Sequence, residues 1–229
     1  MLRKDVRSIV MSLLLGDGCI HVDKRGYGYL KLCHGSKQRD YIQWKARLLS
    51  GMYDRDVKCL PCKDGRAYQI QLSNNRFKAW YKFVYKNKMK DITLALRYIR
   101  HPELAIAIWL MDDGYVEPSI SRLANGEKRL YGARFRLFTC SFPDERQHEI
   151  ISWLQDNLDI NSKVHYQKRG KTSYVPEGKP YPFLKFNSSD SLKLWVIIRE
   201  FVLQFDSMKY KFRHIEEIYQ RKLAQRMAP

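Results

Sequence analysis

Two apolar segments of this chain each end in an Asp-Gly step, and they limit the possible folds more than any other feature. They cover residues 10–18 and 106–114, so that their aspartates, Asp17 and Asp113, lie 96 positions apart. Apolar residues recur at helical spacing before the first step and fill nearly every position before the second. This pattern predicts one amphipathic helix and one centrally buried helix, and therefore a chain built from two related halves.

The order of elements after each segment supports such a duplication. Alternation of polar and apolar residues predicts strands around residues 29–33, 68–73, 134–137, 163–169 and 185–187, and helical patterns cover residues 40–49, 77–85, 145–158 and 191–205. Polar stretches at 118–133 and 170–182 predict loops within the second half. We therefore predict an α+β fold in which helix, two strands, helix, two strands and helix occur twice, in halves 1–100 and 101–229.

The charge of the chain indicates a polyanionic partner. Lys and Arg number 42 against 24 Asp and Glu, a formal net charge of +18. No apolar run approaches the roughly 18 residues of a membrane-spanning helix, and the first residues lack the apolar core of a signal peptide. Nucleic acid is therefore favoured over a membrane surface. The odd number of cysteines, five, predicts an intracellular reducing compartment without disulfides.

One cysteine pair has the spacing of metal ligands. Cys59 and Cys62 are separated by two residues, and Cys33 with His34 would complete a zinc site. No second C-x-x-C or His pair follows at a usual spacing. Free thiols in a strand and loop are therefore favoured over zinc.

An aspartate at the end of a helix lies beside carbonyls that already carry partial negative charge. If the two motif helices run in parallel, Asp17 and Asp113 meet there, and the main-chain carbonyls of Gly16 and Asp112 add oxygen donors. Such hard ligands suit Mg²⁺, which supports phosphodiester hydrolysis. A single Asp-Gly step is most often an ordinary turn or helix stop, and Asp112 has a purely local hydrogen-bonding role as its alternative. The duplication favours the metal site.

Lysine clusters end the predicted closing segment of each half. They contain Lys86, Lys88 and Lys90 in the first half and Lys209 and Lys211 in the second. A lysine near the attacked phosphate assists hydrolysis of a polyanion, and we assign this role to Lys90 and Lys211. Ordinary phosphate contact is the alternative.

Polar side chains alternate along the predicted strands with apolar ones, and their types suit contacts to base edges and phosphates. A solvated strand face is the alternative for each one separately. As a set with few acids they predict two DNA-binding surfaces, made of Lys31, Gln69, Gln71, Ser73, Arg134, Arg136, Lys163, His165, Gln167, Lys185 and Asn187.

The segments Leu13-Leu-Leu-Gly-Asp17-Gly18 and Trp109-Leu-Met-Asp-Asp113-Gly114 resemble the two motifs of single-chain LAGLIDADG homing endonucleases. The resemblance implies a pseudo-twofold αββαββα fold, with the motif helices at the interface and two four-stranded antiparallel sheets on DNA. It implies a monomer that cleaves both strands of a long site, leaves short 3′ overhangs and uses two or three Mg²⁺ ions. The family's last motif aspartate matches Asp17 and Asp113. Its basic residue matches Lys90 and Lys211, with Lys209 as competitor.

A second function on the same fold stays open from the sequence. A non-catalytic binder, such as an intron RNA maturase or a DNA-binding regulator, would need the basic sheets but not the aspartates. The retention of both carboxylates favours the endonuclease.

Overall fold

The order of elements repeats along the chain. This computed structural model describes residues 3–87, 89–167 and 180–227. Its helices are α1 (Arg3–Leu15), α2 (Arg39–Tyr53), α3 (Asn75–Val84), α4 (Ile92–Arg97), α5 (Pro102–Asp113), α6 (Gln147–Leu158), α7 (Ser188–Leu203) and α8 (Asp206–Met227). Its strands are β1 (Cys19–Val22), β2 (Gly28–Gly35), β3 (Cys59–Cys62), β4 (Ala67–Ser73), β5 (Tyr85–Lys86), β6 (Met89–Lys90), β7 (Gly114–Arg122), β8 (Lys128–Phe138), β9 (Ser162–Gln167) and β10 (Tyr181–Phe186).

The two main sheets have the same topology. Their strand orders are β1-β2-β4-β3 and β7-β8-β10-β9, and every pairing is antiparallel. Helices α1, α2 and α3 occupy the same places in the first series as α5, α6 and α7 in the second. The predicted α+β class and the αββαββα repeat are confirmed, with the β5–β6 hairpin, α4 and α8 as additions. The division at residue 100 stays a prediction.

Helices α1 and α5 pack side by side in the same direction. Near their N-termini the main-chain N–H of Arg100 donates to Ser8 Oγ at 2.8 Å, and near their C-termini the N–H of Asp17 donates to Asp112 Oδ2 at 3.0 Å. Residues 105–111 of α5 are all fully buried. Because α5 is apolar on every side, it lies in a hydrophobic core shared by both halves.

Two asparagines begin equivalent helices after the last strand of each sheet. The side chain of Asn74 accepts from the N–H of Arg76 at the start of α3, and that of Asn187 accepts from the N–H of Asp190 at the start of α7. The prediction that Asn187 belongs to a strand is therefore wrong. Its polar side chain is used as a helix cap, which alternation along a strand does not distinguish from an outward-facing residue.

The β7–β8 hairpin is longer than predicted. Residues 118–133 were expected to form a loop, but β7 continues to Arg122 and β8 begins at Lys128. The outer parts of both strands are largely exposed, so their sequence lacks the apolar alternation of a half-buried strand. The predicted strand at 163–169 ends at Gln167; residues 168 and 169, Lys88 and most of the predicted loop at 170–182 lie outside the described residues.

Helix α8 is the longest helix and follows the predicted closing helix of the second half. Its buried residues, among them Met208, Phe212 and Ile215, face α7 and the β7–β8 hairpin. Within residues 3–87, 89–167 and 180–227, no helix has both the length and the apolarity needed to cross a bilayer.

Candidate active site

The two motif aspartates lie at the adjacent C-terminal ends of α1 and α5. Asp113 is the last residue of α5, whereas α1 ends at Leu15 and Asp17 follows in the turn. The glycine after each aspartate is required by a close approach of main-chain atoms. A Cβ at Gly18 would lie 2.4 Å from the carbonyl oxygen of Leu13, and one at Gly114 would lie 2.3 Å from that of Leu110. Each Asp-Gly step is therefore a tight exit from a buried helix.

The electrostatics of this site favour a bound cation. Burial raises the pKa of Asp113 to about 7, and the negative charges of Asp17 and Asp112 add to this rise. Burial and the charge of Asp112 also raise the pKa of Asp17. Both carboxylates are thus hard to ionise in the protein alone, and a divalent cation between them would offset the repulsion. The donor set fits the predicted metal.

Two lysines cap the motif helices in matching ways. Lys90 Nζ donates to the carbonyl oxygens of Leu14 and Gly16 at 2.9 and 2.8 Å. Lys211 Nζ donates to those of Met111 and Asp112 at 2.6 and 3.1 Å. The positive charges of both ammonium groups offset part of the rise in the pKa of Asp17 and Asp113. The geometry therefore brings Lys90 and Lys211 to the site.

Neither Lys90 nor Lys211 lies in the predicted closing helix of its half. Lys90 lies in the β5–β6 hairpin after α3, and Lys211 lies in α8, beyond the closing helix α7. The competitor Lys209 is directed elsewhere, because its Nζ donates to Asp206 on the exposed surface of α8.

The carbonyl oxygens of Gly16 and Asp112, predicted to add ligands for the metal, accept hydrogen bonds from Lys90 and Lys211. Each carbonyl has a second lone pair, so their coordination of a cation stays a prediction. The carboxylate of Asp112 is in a different situation. It is fully buried and bonded to protein groups on both oxygens.

A buried polar cluster surrounds the Asp112 carboxylate, and the sequence analysis missed most of it. Lys45 Nζ donates to Asp112 Oδ1 and Oδ2 at 2.8 and 2.9 Å, and it lies 2.9 Å from His34 Nε2. Tyr41 Oη donates to Asp112 Oδ1 at 2.9 Å. A signal was present, because Lys45 occupies an apolar-face position of α2, between Ile42 and Leu49 in the buried stripe.

His34 links this cluster to Asp17 and not to the cysteines. Ligand atoms of Asp17, His34 and Asp112 lie within 4.8 Å of one another, but the Lys45 ammonium group is bonded to both His34 and Asp112. Cys33 and Cys62 have their Sγ atoms 3.9 Å apart. Neither belongs to a group of three metal-type ligands in the described parts of the chain.

The first sheet presents its predicted polar residues on one face. Lys31 pairs with Gln71 across β2 and β4, and Tyr29 pairs with Ser73. Gln69 lies opposite Cys33 in the same register. The alternate residues Leu30, Leu32, Ile70 and Leu72 are buried in the core. Lys31, Gln69, Gln71 and Ser73 therefore lie together, away from the helices.

The second sheet has a matching face that contains an acid the sequence analysis missed. Lys163, Lys185 and Arg136 are cross-strand neighbours. The Glu117 carboxylate accepts from Arg136 and lies 3.1 Å from Lys185 Nζ. Arg134 is paired with Glu117 in the register, while His165 stacks on Phe183 and Gln167 lies opposite Tyr181. Asn187 caps α7 with its side chain and lines the same concave surface as Lys163 and Lys185, so its contact with DNA stays a prediction.

Comparison with known proteins agrees with the fold and the motifs. The family model of the LAGLIDADG DNA endonucleases matches residues 7–194. The chain belongs to this family. The resemblance of the two motifs to this family is therefore confirmed.

Two solved structures and one sequence relative are similar to this chain over most of its length. The homing endonuclease I-WcaI bound to its DNA recognition sequence is similar with a TM-score of 0.63 and 19% identity, over 92% of this chain and 87% of that one. The LAGLIDADG meganuclease I-AabMI bound to uncleaved DNA has a TM-score of 0.57 and 11% identity, over 95% and 92%. A protein named RecA from Mycolicibacterium chitae is 29% identical over 219 residues, 89% of this chain. The chain spans about half of that relative's length, 45%.

Proposed function

We propose that this chain, as a monomer, cleaves both strands of a long DNA site in a reaction that depends on Mg²⁺ and leaves short 3′ overhangs. The observation that carries the proposal is the pairing of Asp17 and Asp113 at the ends of parallel helices, one from each repeat. Asp17 and Asp113 would hold the cation. When bound, the cation would activate water and stabilise the leaving oxygen. Structures of the endonuclease I-DmoI with DNA and Mn or Ca support a divalent cation.

The decisive experiment is a selection for cleaved DNA. Duplexes with a randomised central region are incubated with the full chain and Mg²⁺, and the ends of cut products are sequenced. We expect one family of long sites with short 3′ overhangs, and no cutting in EDTA. Binding without cutting of any duplex in Mg²⁺ or Mn²⁺ would contradict the proposal and favour a non-catalytic binder.

The role proposed for Lys211 gives a matched pair of variants. Lys211 Nζ is held at the end of α5 beside both motif aspartates, whereas Lys209 Nζ is bonded to exposed Asp206. We expect Lys211→Met to reduce the single-turnover cleavage rate by about 10²-fold, because a positioned positive charge near the phosphate is lost. Lys209→Met should cut within about twofold of the parent. Equal rates for the two variants would exclude Lys211 as the active-site lysine.

The proposed DNA faces predict a salt dependence. A lysine that contacts a phosphate contributes about 0.9 to the slope of log K against log salt concentration. Lys163 lies exposed on the second sheet, and Lys222 lies exposed on α8, which packs on the opposite side of that sheet. We expect Lys163→Gln to lower the slope by about one and Lys222→Gln to leave it unchanged, measured by fluorescence anisotropy. The same slope in both variants would contradict this placement of DNA.

A further inference from the structure

The two motifs are not equivalent at the residue before the aspartate. The first motif has Gly16 there and the second has Asp112. The Asp112 side chain crosses between the helices, and a Cβ added at Gly16 would lie 2.3 Å from Asp112 Oδ2 and 2.6 Å from its Cβ. Only glycine leaves room for this carboxylate. The interface is therefore asymmetric at the point where the two sites meet.

The Asp112 carboxylate holds the main chain of the other motif. Its Oδ2 accepts from the N–H of Asp17 at 3.0 Å. The remaining acceptor positions are occupied by Lys45 and Tyr41 Oη. Asp113 receives no corresponding contact from the first motif, because Gly16 has no side chain. Asp17 alone is thus fixed by a side chain from across the interface.

Lys45 fixes the Asp112 carboxylate in turn. Both side chains are fully buried. The three ammonium hydrogens of Lys45 match three acceptors, namely the two oxygens of Asp112 and Nε2 of His34. Since the ammonium group only donates, Nε2 of His34 accepts and its Nδ1 carries the hydrogen. That nitrogen lies 3.4 Å from Asp17 Oδ2 and 3.2 Å from Gln38 Oε1.

We propose that Asp112, held by the buried ammonium group of Lys45, is a positioning residue for Asp17, and that it sets the relative rates at which the two DNA strands are cut. The contact acts on Asp17 from two directions, through the main-chain N–H and through His34 to the carboxylate. It has no counterpart on Asp113. Weakening the contact between Asp112 and Asp17 should therefore slow cleavage of one DNA strand more than cleavage of the other, so that nicked DNA accumulates.

The test uses two double variants that both remove the buried charges. K45M/D112N keeps an oxygen that accepts from the N–H of Asp17, whereas K45M/D112L places methyl groups there. Removing both members of a buried ion pair is often neutral for stability, so both variants should fold. The substrate is a duplex selected with the parent chain, labelled differently on its two strands, and cleavage is followed under single-turnover conditions with Mg²⁺.

We expect K45M/D112L to cut one strand about 10- to 100-fold more slowly while the other strand stays within about threefold. K45M/D112N should restore most of the loss. A nearly unchanged ratio of strand rates in K45M/D112L, whether both rates fall or neither does, would overturn the proposal, as would an equal defect in K45M/D112N. If K45M/D112L does not fold, Tyr41→Phe provides the test, because it removes one hydrogen bond to Asp112 and keeps the ring. The ratio of the two strand rates in this variant must then differ from that of the parent.

This inference rests on the proposed cleavage activity, and the two fail differently. If the parent chain cuts no duplex, the proposed function is wrong. If the parent cuts and the strand ratio does not respond to the variants, the cleavage activity stands and the positioning role of Asp112 is wrong.

Discussion

Replacing Asp113 or Asp17 by Asn should abolish Mg²⁺-dependent cleavage and leave the fold and DNA binding intact. Each substitution keeps the side-chain shape and removes one anionic ligand. Loss of a cation that contributes several kcal/mol to transition-state stabilisation lowers the rate by about 10³-fold or more, since each 1.36 kcal/mol is about tenfold. Single-turnover assays on the selected duplex measure this loss.

The structure predicts that these variants stay folded. Burial raises the pKa of both carboxylates, so their ionised forms oppose folding, and an uncharged amide relieves that cost. Binding of DNA in EDTA should be as tight as for the parent or tighter, because a negative charge near the phosphates is removed. Asp156→Asn, on the exposed face of α6, serves as the control that keeps full activity. Full cutting by either motif variant would contradict the assignment of the active site.

The motif aspartates and most elements could be predicted because their signals are local. The stripe of α1, the uniform apolarity of α5 and the alternation in β2 and β4 each fall within one element. The Asp-Gly steps add a geometric requirement that only glycine meets. Such features depend only on residues that are close in sequence. Because the chain is duplicated, the same pattern can be sought in both halves.

The cluster around Asp112 could not be predicted in the same way. Its members come from β2, α2 and α5, and His34 lies 78 positions from Asp112. A lysine in the buried stripe of α2 indicates a buried partner but does not identify it. Lys211 and Lys209 are likewise indistinguishable by spacing, because the start of α8 at Asp206 decides which of them faces α5.

Asp113 should make folding stability depend on pH and on the metal. Its pKa rises from 3.8 in the ordinary carboxyl to about 7 in the protein. Between these two pH values the native state keeps a proton on Asp113 that the unfolded chain releases. The contribution of this group to the free energy of unfolding is therefore fully present below about pH 4 and is lost as the pH rises through about 7. The rise corresponds to about 4 kcal/mol. Relative to Asp113→Asn, the parent should therefore be equally stable near pH 4 and less stable at pH 8 without metal, as measured by urea unfolding.

Mg²⁺ should reverse this loss only when Asp113 is ionised. A ligand that binds the native state alone stabilises it by about 2.7 kcal/mol at 100 times its dissociation constant. We expect Mg²⁺ to raise the unfolding free energy of the parent at pH 8 and to have little effect at pH 5, where the proton competes with the cation for Asp113. The pH 8 effect should disappear in Asp113→Asn and persist in Asp156→Asn. Equal stabilisation of Asp113→Asn and the parent would place the cation elsewhere, because a site without the second carboxylate would then bind it just as well.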